Sequence, residues 1–162
     1  MQHWYAVYTR PRHEKQVQQE LLDQGIEAYL PTHKVRRRWS DRYKVVEEPL
    51  FKNYLFVRSE PGSCRQALRP YGAVSLVTVE GKPAIVPDAE VEAVRILVTS
   101  QIPHNPYPYL KTGRRIRVKF GPLEGCEGIL VRKRGLSRLV VTVHLLQRSI
   151  EAELDAAWIE PR

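Results

Sequence analysis

The sequence predicts an α+β chain in two parts: an amino-terminal α/β sandwich of antiparallel sheet and helices, then a small closed β-barrel. Three observations carry this. Strand and helix signals alternate as β-α-β, a basic hairpin, then β-α-β-α over the first 98 residues. Pro103, Pro106 and Pro108 then fall within six residues and erase any period. Beyond them only strand signals remain, five short runs in about fifty residues, as a small barrel requires.

Trp4 to Tyr8 alternates small and bulky apolar residues and reads as a first strand. A helix follows, with Thr9 as expected cap, Pro11 in or before its first turn and Gly25 past its end. Val17 and Leu21, four apart, form its apolar stripe, which Leu22 widens, and Gln18, Gln19 and Glu20 its polar surface. Ile26 to Leu30 is a short strand closed by Pro31. Lys34 to Val46 is a basic hairpin turning at Ser40-Asp41.

Tyr54-Leu55-Phe56-Val57 is aromatic and β-branched strand material. Period 2 puts Tyr54 and Phe56 on one sheet face and Leu55 and Val57 on the other, so both faces are apolar. Such a strand is either central, with helices on both sides, or covered on one side by a partner. Pro61 opens a short helix carrying Cys64 and Leu68 that Pro70 stops. Val74 to Val79 is a strand that Gly81-Lys82-Pro83 turns into Ala84-Ile85-Val86. Asp88 caps a helix whose apolar face is Val91, Val94, Leu97 and Val98.

Gln101 to Tyr109 reads as an extended, semi-rigid linker. After it, Ile116, Val118 and Phe120 alternate with Arg115, Arg117 and Lys119 to make one apolar and one basic face. The expected domains are therefore 1–98 and 113–162, joined by 99–112.

Composition narrows the function. The 162 residues are 43% hydrophobic and 27% charged, suited to a soluble chain with a substantial core. No apolar run approaches the roughly 20 residues that span a bilayer, and the first residues lack a signal-peptide pattern. Two distant cysteines, Cys64 and Cys126, suit reduced thiols of a cytoplasmic protein. The net charge of +8 points to an anionic partner, nucleic acid or its machinery, ahead of membranes. The five histidines have no metal spacing, neither cysteine has a nucleophile signature, and there is no phosphate-binding glycine loop. No enzyme, no cofactor and no metal are expected, and the chain is expected to be a monomer.

The hairpin sets Lys34, Arg36, Arg37, Arg38, Arg42 and Lys44 against Asp41. It is either a solvated edge kept from aggregating by charge, or a contact for DNA or RNA phosphates with Trp39 and Tyr43 as stacking surfaces. Arg10, Arg12, His13, Lys15 and Gln16 gather at the start of the first helix. Cations there oppose the helix dipole, which hints at a role other than helix stability. Arg132, Lys133 and Arg134 form a basic turn that suits RNA or solvent equally.

Trp4 to Tyr8, Pro49 to Val57 and Pro83 to Pro87 resemble the amino-terminal domain of the NusG family of bacterial transcription elongation factors. Gly113 to Phe120, Gly121 to Gly125 and Gly128 to Leu130 resemble its carboxy-terminal KOW domain, an SH3-like barrel. The ordered set covers nearly the whole chain, and its wording is similar to RfaH-type specialised paralogs. The resemblance implies an elongation and antitermination factor that binds RNA polymerase clamp helices through an apolar groove of Tyr8, Phe51, Tyr54 and Phe56. It implies that Arg10, Arg12, His13, Lys15 and Gln16 read an exposed non-template DNA strand. Arg65 and Gln66 stand where such paralogs contact the second polymerase pincer, although Cys64-Arg65-Gln66-Ala67 departs from the usual His-Thr-Thr pattern there. Phe120, Ile129 and Leu145 are the implied barrel contacts for a small-subunit ribosomal protein or Rho. The glycines and Val140-Val141-Thr142-Val143 favour a stable barrel over a helical refold. An RNA- or ribosome-binding module, using the hairpin and barrel, is the alternative.

Overall fold

The computed structural model describes residues 1–159, so the last three residues of the expected 113–162 domain lie outside it. The fold is mixed α/β with mostly strands, and it divides into two compact units, Met1–Ile85 and a second beginning at Val86.

The first unit holds β1 (His3–Thr9), α1 (Glu14–Asp23), β2 (Glu27–Tyr29), β3 (Thr32–Trp39), β4 (Arg42–Pro49), β5 (Tyr54–Ser59), a 3₁₀ helix (Pro61–Leu68), β6 (Ala73–Leu76), β7 (Thr78–Val79) and β8 (Lys82–Pro83). Its sheet runs β2-β5-β1-β6, with antiparallel neighbours. Strand periodicity sets the core: Tyr5 and Val7 of β1 and Leu55 and Val57 of β5 share one face. They pack with Val17 and Leu21 of α1 and with Cys64 and Ala67 of the 3₁₀ helix. β3 and β4 form a separate two-stranded ribbon whose turn is at Ser40-Asp41, as the sequence predicts.

Three local expectations are corrected. Thr9 does not cap α1; it is a buried residue of β1, and the N-cap is His13 with no side-chain cap bond. Pro11 and Arg12 turn first, Arg12 at φ 66°, which delays the helix. Leu22 is exposed and does not widen the stripe. The strand expected over 74–79 is broken into β6 and β7. β7 pairs with β8 around Glu80 (φ 52°) and Gly81 (φ 79°), a left-handed pair that suits a two-residue hairpin.

A two-residue strand, β9 (Ile85–Val86), lies at the boundary between the units. The second unit holds α2 (Asp88–Ser100), β10 (His104–Tyr107), β11 (Arg114–Arg117), β12 (Glu127–Lys133), β13 (Leu136–Val143), a 3₁₀ turn (His144–Leu146), β14 (Arg148–Glu153) and a 3₁₀ turn (Ala156–Trp158). Its antiparallel sheet has the order β10-β14-β13-β12-β11. All of Leu139 to Val143 is buried, so β13 is covered on both faces, and α2 packs on β12 and β13.

The two units meet between Ile85 and Val86, and the helix at 88–100 falls in the second. There it packs against β12 and β13. Asp88 is its first residue, with Pro87 as N-cap. The proline-rich stretch is extended as expected but pairs with β14 from His104 to Tyr107. Pro106 fits there because β10 is an edge strand, where a missing N–H costs no ladder bond.

Candidate functional site

Tyr8 and Tyr54 are directly opposed in the β1–β5 register, and their rings stack with centroids 5.4 Å apart. Tyr29 stacks on Phe56 at 6.4 Å, and Phe51 meets Phe56 edge-on at 6.3 Å. The rings fall into two sets, the Tyr8–Tyr54 pair and Phe56 with Tyr29 and Phe51, and they differ in exposure. Tyr8 is 37% exposed, and Tyr54 is half-buried. Phe56 is fully buried and Phe51 nearly so. The tyrosine pair is thus partly open to solvent, and the two phenylalanines are core.

The loop that delivers Phe51 and Tyr54 is pinned to α1. Asn53 sits at φ 72°, a left-handed conformation that asparagine tolerates better than most residues. Its N–H donates to Glu14 Oε2 at 3.0 Å and its Nδ2 to the Thr9 carbonyl at 3.2 Å. The Thr9 N–H returns a bond to the Asn53 carbonyl at 2.8 Å. Glu14, which reads in sequence as an ordinary first-turn acid, is 5% exposed because it serves this loop.

Of the residues expected at the start of α1, Arg10 and His13 come together around Tyr71, which the sequence did not single out. The Arg10 guanidinium lies 4.5 Å from the Tyr71 ring centroid and its Nε donates to the Tyr71 carbonyl. His13 approaches the same ring at 6.2 Å, edge-on. Tyr71 remains 74% exposed. Gly72 permits this packing: a Cβ there would stand 2.7 Å from His13 Cβ and 2.8 Å from Val17 Cγ2. Arg12 is exposed beside the cluster. Lys15 instead donates to the Glu47 carbonyl at the hairpin base (2.7 Å), and Gln16 to Glu20 within the helix (3.4 Å).

The hairpin is a ribbon with different partners on its two faces. Arg37 donates to Glu48 from Nε and Nη2, at 2.7 and 2.5 Å, and this hydrogen bonding lowers the Glu48 pKa. Arg36 covers the Tyr43 ring at 4.1 Å, and Lys44 covers the Trp39 ring at 4.4 Å. Arg38 and Arg42 are exposed. Each exposed cation–π pair contributes about 0.5–1 kcal/mol and stiffens side chains that otherwise roam.

The remaining expected contacts are scattered. Arg65 and Gln66 are exposed on the 3₁₀ helix, away from the aromatic group in sequence and sheet position. In the second unit Phe120 is exposed, Leu145 is half-buried and Ile129 is buried. Ile129 pairs with Val140 and is core in this arrangement. At the α2 seam Glu90 Oε1 accepts the His144 N–H at 3.0 Å, and the Cys126 thiol, its pKa pushed up to about 12 by burial, donates to the Ala93 carbonyl at 3.5 Å. Among the described residues no helix is long and apolar enough to cross a membrane.

Comparison with known proteins adds the following. A family model described as transcription termination factor nusG matches residues 2–95. The chain is 24% identical over 179 residues to the transcription termination/antitermination protein NusG of Borreliella burgdorferi, with 97% of each chain covered. It is 23% identical over 173 residues to the protein of the same name from Lactococcus lactis, covering 98% of this chain and 92% of that one. A solved structure described as "Domain interaction in Thermotoga maritima NusG" is similar in fold, with a TM-score of 0.54, 19% identity and coverage of 99% and 97%.

Proposed function

The chain belongs to the NusG family of transcription termination/antitermination factors, and on that basis we propose that it binds elongating RNA polymerase through the Tyr8–Tyr54 face. The observation that carries this reading is the stacked, partly exposed tyrosine pair, on the same strand face as the buried Phe56. Aromatic anchors of this kind, when central in an interface, contribute about 2 kcal/mol or more each. The ring stack and the pinned Asn53 loop mean that little side-chain freedom is lost on docking. The clamp helices of the largest polymerase subunit are the docking partner.

Binding one polymerase conformation more tightly than others stabilises it, so a factor with no chemistry of its own suppresses pausing by population shift. The Arg10–His13–Tyr71 cluster and the hairpin supply a cationic, aromatic fringe for the nucleic acid that polymerase exposes, the non-template DNA strand first. In the second unit, a KOW-type barrel, Phe120 is the open apolar residue for a small-subunit ribosomal protein or Rho. The chain would then be a specialised, RfaH-type paralog with Arg65 and Gln66 facing the second pincer. The test is core polymerase capture by full-length protein at moderate and high salt. Salt-resistant capture that Tyr54→Asp abolishes supports docking through the tyrosine face. The second reading, an RNA- or ribosome-binding module, is favoured by the exposed hairpin pairs. It predicts RNA retention without polymerase and loss of binding on substitution of Arg36 to Arg38.

A further inference from the structure

Glu14 is buried where a glutamate has no local need to be. At 5% exposure its side chain is withdrawn from water, yet the first turn of α1 would gain the same dipole interaction from an exposed carboxylate. Nor is the helix end capped by side chains, since the N-cap, His13, makes no such bond. Among the described residues the one hydrogen bond of the Glu14 side chain leaves the helix: Oε2 accepts the Asn53 N–H at 3.0 Å. A buried carboxylate needs a partner, and here the partner is the turn that delivers Tyr54.

That turn caps the end of a ladder. The β1–β5 pairing stops at Tyr8↔Tyr54, so the stacked pair is its last rung, where a sheet frays first. Phe51 to Tyr54 closes tightly through the Tyr54 N–H and the Phe51 carbonyl at 3.3 Å, with Lys52 exposed and Asn53 at φ 72° in the middle. Two bonds join Asn53 to Thr9, but Thr9 follows Tyr8 on the same strand and moves with it. The Glu14 bond ties the turn instead to α1, whose Val17 and Leu21 are fully buried in the core. We infer that Glu14 is a positioning residue for the docking face: its buried carboxylate fixes the turn against α1 and so holds Tyr54 stacked on Tyr8 in the orientation a partner helix meets. This rests on the proposed docking of polymerase through the Tyr8–Tyr54 face. It goes beyond that reading by making affinity depend on a buried side chain behind the face.

The test separates acceptor geometry from charge, and positioning from stability. Full-length protein carries Glu14→Ala, Glu14→Asp or Glu14→Gln, each alone and with Tyr54→Ala. Each variant is titrated against core RNA polymerase after its urea midpoint is measured, and Glu14→Asp carries the comparison where Glu14→Ala is not fully folded. Glutamine keeps an acceptor oxygen at the same reach without the charge; aspartate keeps the charge on a shorter side chain. Glu14→Gln binds within about twofold of the parent, and Glu14→Ala and Glu14→Asp bind roughly fivefold or more weakly, the scale of ordering one freed side chain on docking. In the Tyr54→Ala background the Glu14 variants shift Kd by less than about twofold, because their effect passes through that ring. A role confined to the helix dipole gives the reverse order, with aspartate near the parent and glutamine impaired, and overturns the inference. So does a folded Glu14→Asp protein that binds like the parent while Tyr54→Ala still weakens binding, or an equal loss in both backgrounds. Tyr54→Ala and Glu14 variants that all bind like the parent overturn the docking face itself, and the positioning role with it.

Discussion

Replacing Tyr54 by alanine and replacing Phe56 by alanine delete aromatics two residues apart on one strand face, yet they should fail in different ways. Tyr54 is half-buried and its principal ring partner is Tyr8 at 5.4 Å. Losing that stacking costs about 0.5–1.5 kcal/mol of folding free energy, which a domain of ordinary stability tolerates. Its loss as an interface anchor costs about 2 kcal/mol, or roughly 30-fold in Kd. Phe56 is fully buried between Tyr29 and Phe51, so Phe56→Ala leaves a cavity and costs about 3–5 kcal/mol of stability. Its effect on binding then follows from unfolding. The assay pairs urea unfolding of each variant with a titration of fluorescently labelled protein by core RNA polymerase. Tyr8→Ala should match Tyr54→Ala, and the double variant should lose less than the sum, since the rings touch. Folded Tyr8→Ala and Tyr54→Ala proteins that both bind polymerase within twofold of the parent would refute the docking face.

Three further outcomes follow from single contacts. Asn53→Ala strains a left-handed position by about 1–2 kcal/mol and removes the bond to the Thr9 carbonyl, so its urea midpoint should fall, while Asn53→Gly recovers the backbone part only. Burial raises the Glu90 pKa above its ordinary 4.5, outweighing the His144 N–H that it accepts. The folded chain therefore holds that proton more tightly than the unfolded chain, and this group's contribution to stability falls as pH rises from 4.5 through the raised value. Glu90→Gln keeps the acceptor and loses the charge, so it should raise the unfolding midpoint at pH 7 and flatten the profile over that window; an unchanged profile contradicts the assignment. For nucleic acid, Arg36→Gln should lower the slope of log K against log salt by about 0.7, the single-strand value per phosphate, whereas Arg37→Gln, already paired with Glu48, should leave it nearly unchanged.

Local pattern carried most of the first unit. The Val17–Leu21 spacing, the alternation in Tyr54 to Val57 and the Ser40-Asp41 turn are properties of neighbouring residues, and each appears where the sequence predicts. What sequence could not show is what arrives from a distance. β10 is a strand only because β14 is beside it, and the helix at 88–100 packs against β12 and β13, strands some thirty residues or more further along the chain. The candidate site divides the same way. The family resemblance names Tyr8, Phe51, Tyr54 and Phe56 together, but which of these rings are buried and which are open depends on packing. Glu14 was hidden by looking like any helix-start acid, and Tyr71 by standing in a proline- and glycine-bounded loop, where its partners Arg10 and His13 are some sixty residues away. A signal for Tyr71 did exist, since a lone aromatic between Pro70 and Gly72 has no strand or helix to bury it.

The most direct test of the central claim is site-specific photocrosslinking from position 54 in the full-length protein bound to elongating RNA polymerase. A benzophenone side chain replaces Tyr54, with a second protein carrying it at Arg65 for comparison. The account predicts a salt-resistant crosslink from position 54 to the largest polymerase subunit, within its clamp helices. A crosslink from position 54 to nucleic acid alone, or none from a complex that still forms, would contradict it.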